Sequence, residues 1–312
     1  MPEQTSLILG AGSSYPYGFP TGVGLRQKIL ELDRDLDLFE YLARQNKAGI
    51  KSFLEQFSRS QMNSIDSFLA KNPRFTDLGK IAIAIVLLNS ETEETLLSET
   101  NPDNWYRYLI NSILPHDWNE LDLSWLKIIS FNYDRSLYTY LYSALKNTYS
   151  KSDQEVKEKL DKLDIFHVYG SLEINPRSYG RINLRTPQDM NEGDLMVADF
   201  RSAFGDLKVI PEGRNDEPHL KAIQTVLLTS PKICFLGFGF DQTNIDRINA
   251  PEVFGSIDNP KRVVATTIDK TVAEINTAKL NLFKSGSPMV EQKVQFLNKN
   301  CTELLRETLI LR

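Results

Sequence analysis

Leu7-Ile8-Leu9-Gly10-Ala11-Gly12-Ser13-Ser14, with the loop that follows as far as Gly22, decides the fold. Apolar residues run without alternation into a pair of glycines and two small hydroxyl residues. A strand buried on both faces reads this way when it ends in a phosphate-binding turn. The stretch predicts the first βα unit of a dinucleotide-binding α/β domain. Gly10 and Gly12, with Ala11 between them, let the backbone turn tightly and approach a pyrophosphate, while Ser13 and Ser14 donate to it near a helix start. A Gly-x-Gly pair also closes many ordinary strand-to-helix turns, and taken alone it does not separate the two readings. The sequel Tyr15-Pro16-Tyr17-Gly18-Phe19-Pro20-Thr21-Gly22 favours the ligand site, because a loop stands where a plain unit goes straight into helix.

Working outward, the bulk composition excludes several classes. A chain of 312 residues with 41% hydrophobic content can bury a full α/β core, and residues 1–312 read as one domain with an insertion. The formal charge of -5 supplies no overall field for nucleic acid, so direct nucleic-acid binding is not expected. Cys234 and Cys301 are the only cysteines, too few for a disulfide scaffold or a four-thiolate zinc site. A reducing cytoplasm fits that usage. No signal-peptide pattern opens the sequence, and the apolar run from Ile81 to Leu88 is far shorter than the roughly 20 residues that cross a bilayer. The expectation is a cytoplasmic protein with no membrane association.

Apolar spacing predicts helices over Val23–Leu32, Leu36–Gln45, Gly49–Phe57, Ser64–Lys71, Thr76–Asn89 and Asp103–Leu114. Residues 23–120 thus read as a helical insertion between the first strand and the strand that carries Asn132. Ser64 is placed to cap its helix, and Asp66 and Phe68 either pack or face the site. Strands follow at Trp125–Ser130, closed by Phe131-Asn132-Tyr133-Asp134, and at Asp164–Tyr169, closed by Gly170-Ser171. Between them lie an amphipathic helix over Ser136–Asn147 and a charged one over Asp153–Leu163. Residues 172–218 read as a loop-rich flap holding at most short elements such as Leu207–Ile210. Beyond it come a helix over His219–Thr229, a strand over Lys232–Leu236, and the turn Gly237-Phe238-Gly239-Phe240-Asp241 leading into a helix with Asn244. A strand over Arg262–Ile268 and helices over Val272–Phe283 and Thr302–Leu311 complete a Rossmann-like parallel sheet.

Taken in order, Gly10-Ala11-Gly12-Ser13 with its Pro20 loop, Ser64-Ile65-Asp66-Ser67-Phe68-Leu69, Ser130-Phe131-Asn132-Tyr133-Asp134, His167-Val168-Tyr169-Gly170-Ser171, and Gly237-Phe238-Gly239-Phe240 with Asn244 resemble the sirtuin-like NADase effectors of bacterial antiphage defence. The resemblance implies the sirtuin fold. It also implies that Gly10, Ala11, Gly12, Ser13 and Ser14 hold the pyrophosphate of NAD+, that Asn132 positions a water or the ribose, and that Asp134 binds the nicotinamide amide. Cofactor contacts by Pro20, Thr21, Tyr133, Tyr169, Gly170, Ser171, Gly237, Phe238, Gly239 and Asn244 follow from the same resemblance. The family's histidine is a general base that stands immediately before the glycine, where this chain has Tyr169. His167 lies two residues earlier, on the same face of a strand, and is the candidate for that role or else a core histidine. His116 and His219 read as structural.

The resemblance implies hydrolysis of NAD+ to nicotinamide and ADP-ribose, with NAD+ as substrate and no metal, since nothing supplies the paired cysteines of a deacylase zinc module. It further implies abortive infection through NAD+ depletion, under the control of a homo-oligomer or of a partner such as a HerA-like ring ATPase or an Argonaute-like protein. The helices bearing Leu304, Leu305, Leu309, Ile310 and Leu311 serve either as a docking surface or as ordinary core. Two other readings stand beside hydrolysis. One is a catalytically weak NAD+ or ADP-ribose sensor or scaffold, favoured by Tyr169. The other is an NAD-dependent oxidoreductase, disfavoured because Tyr15 replaces the third glycine and because Glu31, Asp33, Asp35 and Asp37 fall in helical sequence rather than at the end of a ribose-binding strand.

Overall fold

Leu7, Ile8 and Leu9 are buried, and the strand they build, β1 (Thr5–Leu9), lies in the interior of a six-stranded parallel sheet. The computed structural model describes residues 2–175, 177–182, 184, 190–204, 207–209, 218–254, 261–283 and 294–311. The other strands are β2 (Leu126–Ser130), β3 (Asp164–His167), β4 (Lys232–Leu236), β5 (Arg262–Thr266) and β6 (Val294–Leu297), in the order β3-β2-β1-β4-β5-β6. Connections run one way outward from β1 and then reverse at β4. The β1/β4 boundary is the switch point where an open α/β sheet leaves a crevice beyond its carboxyl edge. Register aligns the strand ends: Leu9 pairs with Ser130 and with Leu236, and Ser130 pairs with His167. Whatever follows those residues is delivered to one edge.

The segment between β1 and β2 is helical. Its main helices are Gly22–Glu31, Leu36–Ala43, Lys47–Ser60, Ile65–Lys71, Thr76–Ser90 and Trp105–Ile113. The side chains of Thr21, Asn46, Ser64 and Asn104 accept the first free N–H groups of four of them, as short oxygen-bearing residues do at helix starts. Phe39, Phe53, Phe57, Phe68 and Phe75 give this block its own aromatic centre, with ring centroids 5.0 Å apart for Phe57 and Phe68 and 5.6 Å for Phe53 and Phe75. Asp103 reaches across to the last helix, Cys301–Thr308, and accepts from Cys301 N at 3.2 Å and Thr302 N at 2.8 Å.

Several sequence expectations need correction. The third strand stops at His167 rather than Tyr169, because Gly170 takes a φ of +67° and its N–H bonds back to His167 O. The charged helix ends at Leu160, and Val294–Leu297 is a strand that the apolar pattern did not announce. Within the expected flap stands a fifteen-residue helix, Met190–Phe204, whose Met196, Val197, Phe200 and Ala203 are buried. Leu207, Lys208 and Val209 belong to no helix or strand, and Ile210 lies outside the described residues. Among the described residues no helix is long and apolar enough to cross a membrane.

Candidate active site

Asn132 stands two residues past β2, and its side chain turns into the glycine turn that ends β1. Its Nδ2 donates to Gly10 O at 3.0 Å, Ser14 Oγ at 2.9 Å and Ser13 Oγ at 3.2 Å. A backbone carbonyl only accepts, so the nitrogen end must face Gly10, and the direction of the amide is settled. Oδ1 then points the other way. It is buried without a hydrogen-bond partner, on a residue only 8% exposed. An unmet buried acceptor costs about 1–3 kcal/mol and is readily satisfied by a water or a ligand hydroxyl.

Beside it, His167 Nδ1 lies 3.2 Å from Asn132 O. Only a protonated Nδ1 can make that bond to a carbonyl, which leaves Nε2 with the lone pair. Burial holds the half-buried imidazole below its ordinary pKa, against weaker upward pulls from the Asn132 carbonyl and Asp134. At neutral pH the ring is an uncharged base. Asp134 Oδ1 accepts from Ser136 N at 3.0 Å and from the Ser136 hydroxyl, so this carboxylate also fixes the start of the Ser136–Tyr149 helix. Ser14, Asn132, Asp134 and His167 line one cavity of about 20 Å³. That is room for about one water and not for a pyridine ring.

The glycines meet each other. Gly12 N donates to Gly237 O at 3.0 Å, Ser13 N to Gly10 O at 2.8 Å, and Gly10 N to Leu236 O at 3.0 Å. A Cβ on Gly10 would sit 2.6 Å from Gly237 O and from Phe238 Cα. Gly237 takes a φ of +57°, and its Cβ would strike Ser13 N and the Gly12 backbone. Two turns from opposite sides of the switch point thus close on one another, and these amides are spent in doing so. Ala11, Gly12, Ser13 and Ser14 form a single helical turn at this contact. Gly239 differs, because a Cβ there would meet nothing within 4 Å.

Tyr133, Tyr169 and Asn244 gather above the same edge. The Tyr169 hydroxyl donates to Asn244 Oδ1 at 2.7 Å and the Tyr133 hydroxyl to Asp66 Oδ1 at 2.6 Å. Phe131 packs edge-on to Phe238 at 4.9 Å and to Tyr169 at 5.9 Å. Gly170 and Ser171 complete the turn after β3, and Leu172 N bonds to Tyr133 O. Asp66 both follows the Ser64 cap and faces this group, and burial pushes its carboxyl up to about 6. Pro20 and Thr21 instead begin the Gly22–Glu31 helix, where Thr21 Oγ1 accepts from Gly24 N.

Sequence reasoning missed the residues that brace the site. Trp105 Nε1 donates to Ser13 O at 2.8 Å, and Tyr106 bonds Ser136 Oγ at 2.7 Å. Arg135 makes a two-pronged bond to Glu91, with both contacts at 2.8 Å. No spacing rule links positions so far apart in the chain; the one available signal was a pair of large aromatics opening a helix.

No known family model matches this chain, and no curated protein matches it.

Among the described residues no group of three or more His, Cys, Asp or Glu side chains is arranged to hold a metal ion.

Proposed function

We propose that the chain is an NAD+ glycohydrolase that cleaves the nicotinamide–ribose bond to give nicotinamide and ADP-ribose, on a sirtuin type of sheet with residues 23–120 inserted as a helical subdomain. The observation that carries this reading is Asn132 Oδ1, a buried acceptor without a partner just past β2, on a residue that lines one cavity with His167. Breaking the C–N bond leaves positive charge on the ribose and a leaving group that departs with the electron pair. The attacking water must be oriented and must lose a proton. Asn132 Oδ1 accepts from that water or from a ribose hydroxyl, neutral His167 takes the proton at Nε2, and the Asp134 carboxylate supplies nearby negative charge. The sheet order supports a dinucleotide across the switch point.

The cavity as it stands holds a water and not the substrate ring, so turnover requires its lining to open. That suits an enzyme kept off until a second copy or a partner engages it. On the sequence resemblance, that partner is a HerA-like ring ATPase or an Argonaute-like protein and the setting is antiphage defence.

The test is nicotinamide release from NAD+ by the full chain, alone, at oligomer-forming concentrations and with the candidate partner. Asn132→Ala is expected to lower kcat by about 100-fold or more while the fold persists, the scale on which loss of a positioning group acts. A folded wild-type chain that leaves NAD+ intact in every arm overturns the assignment. A scaffold reading rests on Tyr169, whose hydroxyl is occupied by Asn244. It gains if ADP-ribose raises the melting temperature in the absence of turnover.

A further inference from the structure

Tyr106, Ser136 and Asp134 form one hydrogen-bonded run of buried side chains at this site, and its first member comes from the helical block. Asn132 Nδ2 donates to Ser14 Oγ at 2.9 Å. Ser14 lines the same cavity as Tyr106. The Tyr106 hydroxyl lies 2.7 Å from Ser136 Oγ, and the Ser136 hydroxyl bonds Asp134 Oδ1. A carboxylate oxygen accepts, so the proton of Ser136 is committed to Asp134 and Tyr106 must donate to Ser136. All of these groups are buried, where a directional chain of hydrogen bonds is stronger than its links in water. Tyr106 keeps its proton, because burial and the neighbouring Asp134 charge push its pKa well above the ordinary value.

The ring of Tyr106 is held as firmly as its hydroxyl. It stacks on Tyr17 with centroids 3.7 Å apart and planes 2° from parallel, and its own N–H bonds Tyr17 Oη at 2.8 Å. Its neighbour Trp105 grips the glycine turn through Ser13 O. The Trp105–Ile113 helix therefore bonds both the glycine turn and the hydroxyl that holds Asp134.

We propose that Tyr106 is a positioning residue of the site: acting through Ser136, its hydroxyl fixes the Asp134 carboxylate, while the adjacent Trp105 holds the glycine turn to which Asn132 bonds, so the helical block sets the geometry for cleavage. This role rests on the NAD+ reading given above. The hydroxyl exchanges no proton with substrate; it orients the carboxylate that supplies charge beside it.

Tyr106→Phe keeps the stacked ring and removes only the link. With Ser136→Ala and the double variant it makes a cycle that can be read twice. In nicotinamide release, Tyr106→Phe is expected to lower kcat about tenfold to a hundredfold with KM changed less than about threefold, and the double variant to be no slower than Ser136→Ala alone. In urea unfolding without substrate, the two midpoint shifts are expected to be non-additive. A wild-type kcat in Tyr106→Phe, or losses that multiply in the double variant, overturns the positioning role. Additive unfolding shifts overturn the chain of hydroxyls itself. Absence of nicotinamide release by the wild-type chain overturns the NAD+ reading and the role in turnover together, and the unfolding cycle then still decides whether the chain of hydroxyls exists.

Discussion

His167 ends β3 and Asp66 faces the strand ends from the helical block, and burial moves their pKa values in opposite directions because it disfavours the charged form of each. For His167 burial disfavours the cation, so the ring is neutral at pH 7 and protonates only below 6.5. Nicotinamide release is expected to fall tenfold per pH unit on the acid side of a midpoint lying below 6.5. His167→Gln should lose activity at every pH, and an acid limb centred above 6.5 would contradict the assignment. Asp66 holds its proton up to about pH 6 in the fold, whereas an unfolded aspartate releases it near about pH 4. Between those values the native state binds more protons than the unfolded chain, so stability falls as pH rises through the window and is flat above it. Asp66→Asn, which still offers an oxygen to Tyr133, is expected to gain on the wild type between pH 4.5 and 7. Urea midpoints at the two pH values check this, and parallel midpoints would refute it.

Turns, strands and helices were legible to different degrees, for physical reasons. The β1 turn was readable because unbroken apolar residues ending at glycine have few other uses; β2 and β4 lie within a residue of their sequence-based bounds, and β1 begins two residues before the apolar run, at Thr5. The purpose of the glycines was not readable, since Gly237 and Gly12 meet across more than two hundred residues of chain. Replacement separates the cases. Gly237→Ala meets backbone atoms at a left-handed φ and is expected to cost more than about 3 kcal/mol or to prevent folding, whereas Gly239→Ala should stay within about 1 kcal/mol. Thermal denaturation of the two variants checks the contrast. The Met190–Phe204 helix was hidden by Gly193 and by the proline-rich sequence before it, although Met196, Val197, Phe200 and Ala203 carry helical spacing. Val294–Leu297 was missed because four residues at the sheet edge, partly exposed, show neither a buried run nor a clear alternation.

Across the whole molecule, Arg135 and Glu91 bind parts that the sheet alone would leave apart. Both side chains are at most 1% exposed. Glu91 follows the Thr76–Ser90 helix, and Arg135 also donates to Glu173 O at 2.7 Å and Ser178 Oγ at 2.8 Å beyond β3. Glu91→Ala would strand a guanidinium without its counter-charge and is expected to cost about 3–5 kcal/mol in urea unfolding, with part of the loss recovered by also changing Arg135 to Met. A cost below about 1 kcal/mol would show that the pair is dispensable. The overall α/β plan and the helical character between β1 and β2 could be read from local patterns. The brace at Arg135 and Glu91, like the Tyr106 run, could not, because each joins residues with no shared periodicity. His167 and Tyr169 also parted company at this scale: one looks into the Asn132 cavity, and the other spans the crevice to Asn244.

The position of β1 bears on how the chain is made. Leu7 pairs with Ile128 on one side and Cys234 on the other, both parallel and both far along the sequence. A ribosome therefore releases the one strand buried at every residue long before its second neighbour exists, and the nascent segment must be shielded until translation passes β4.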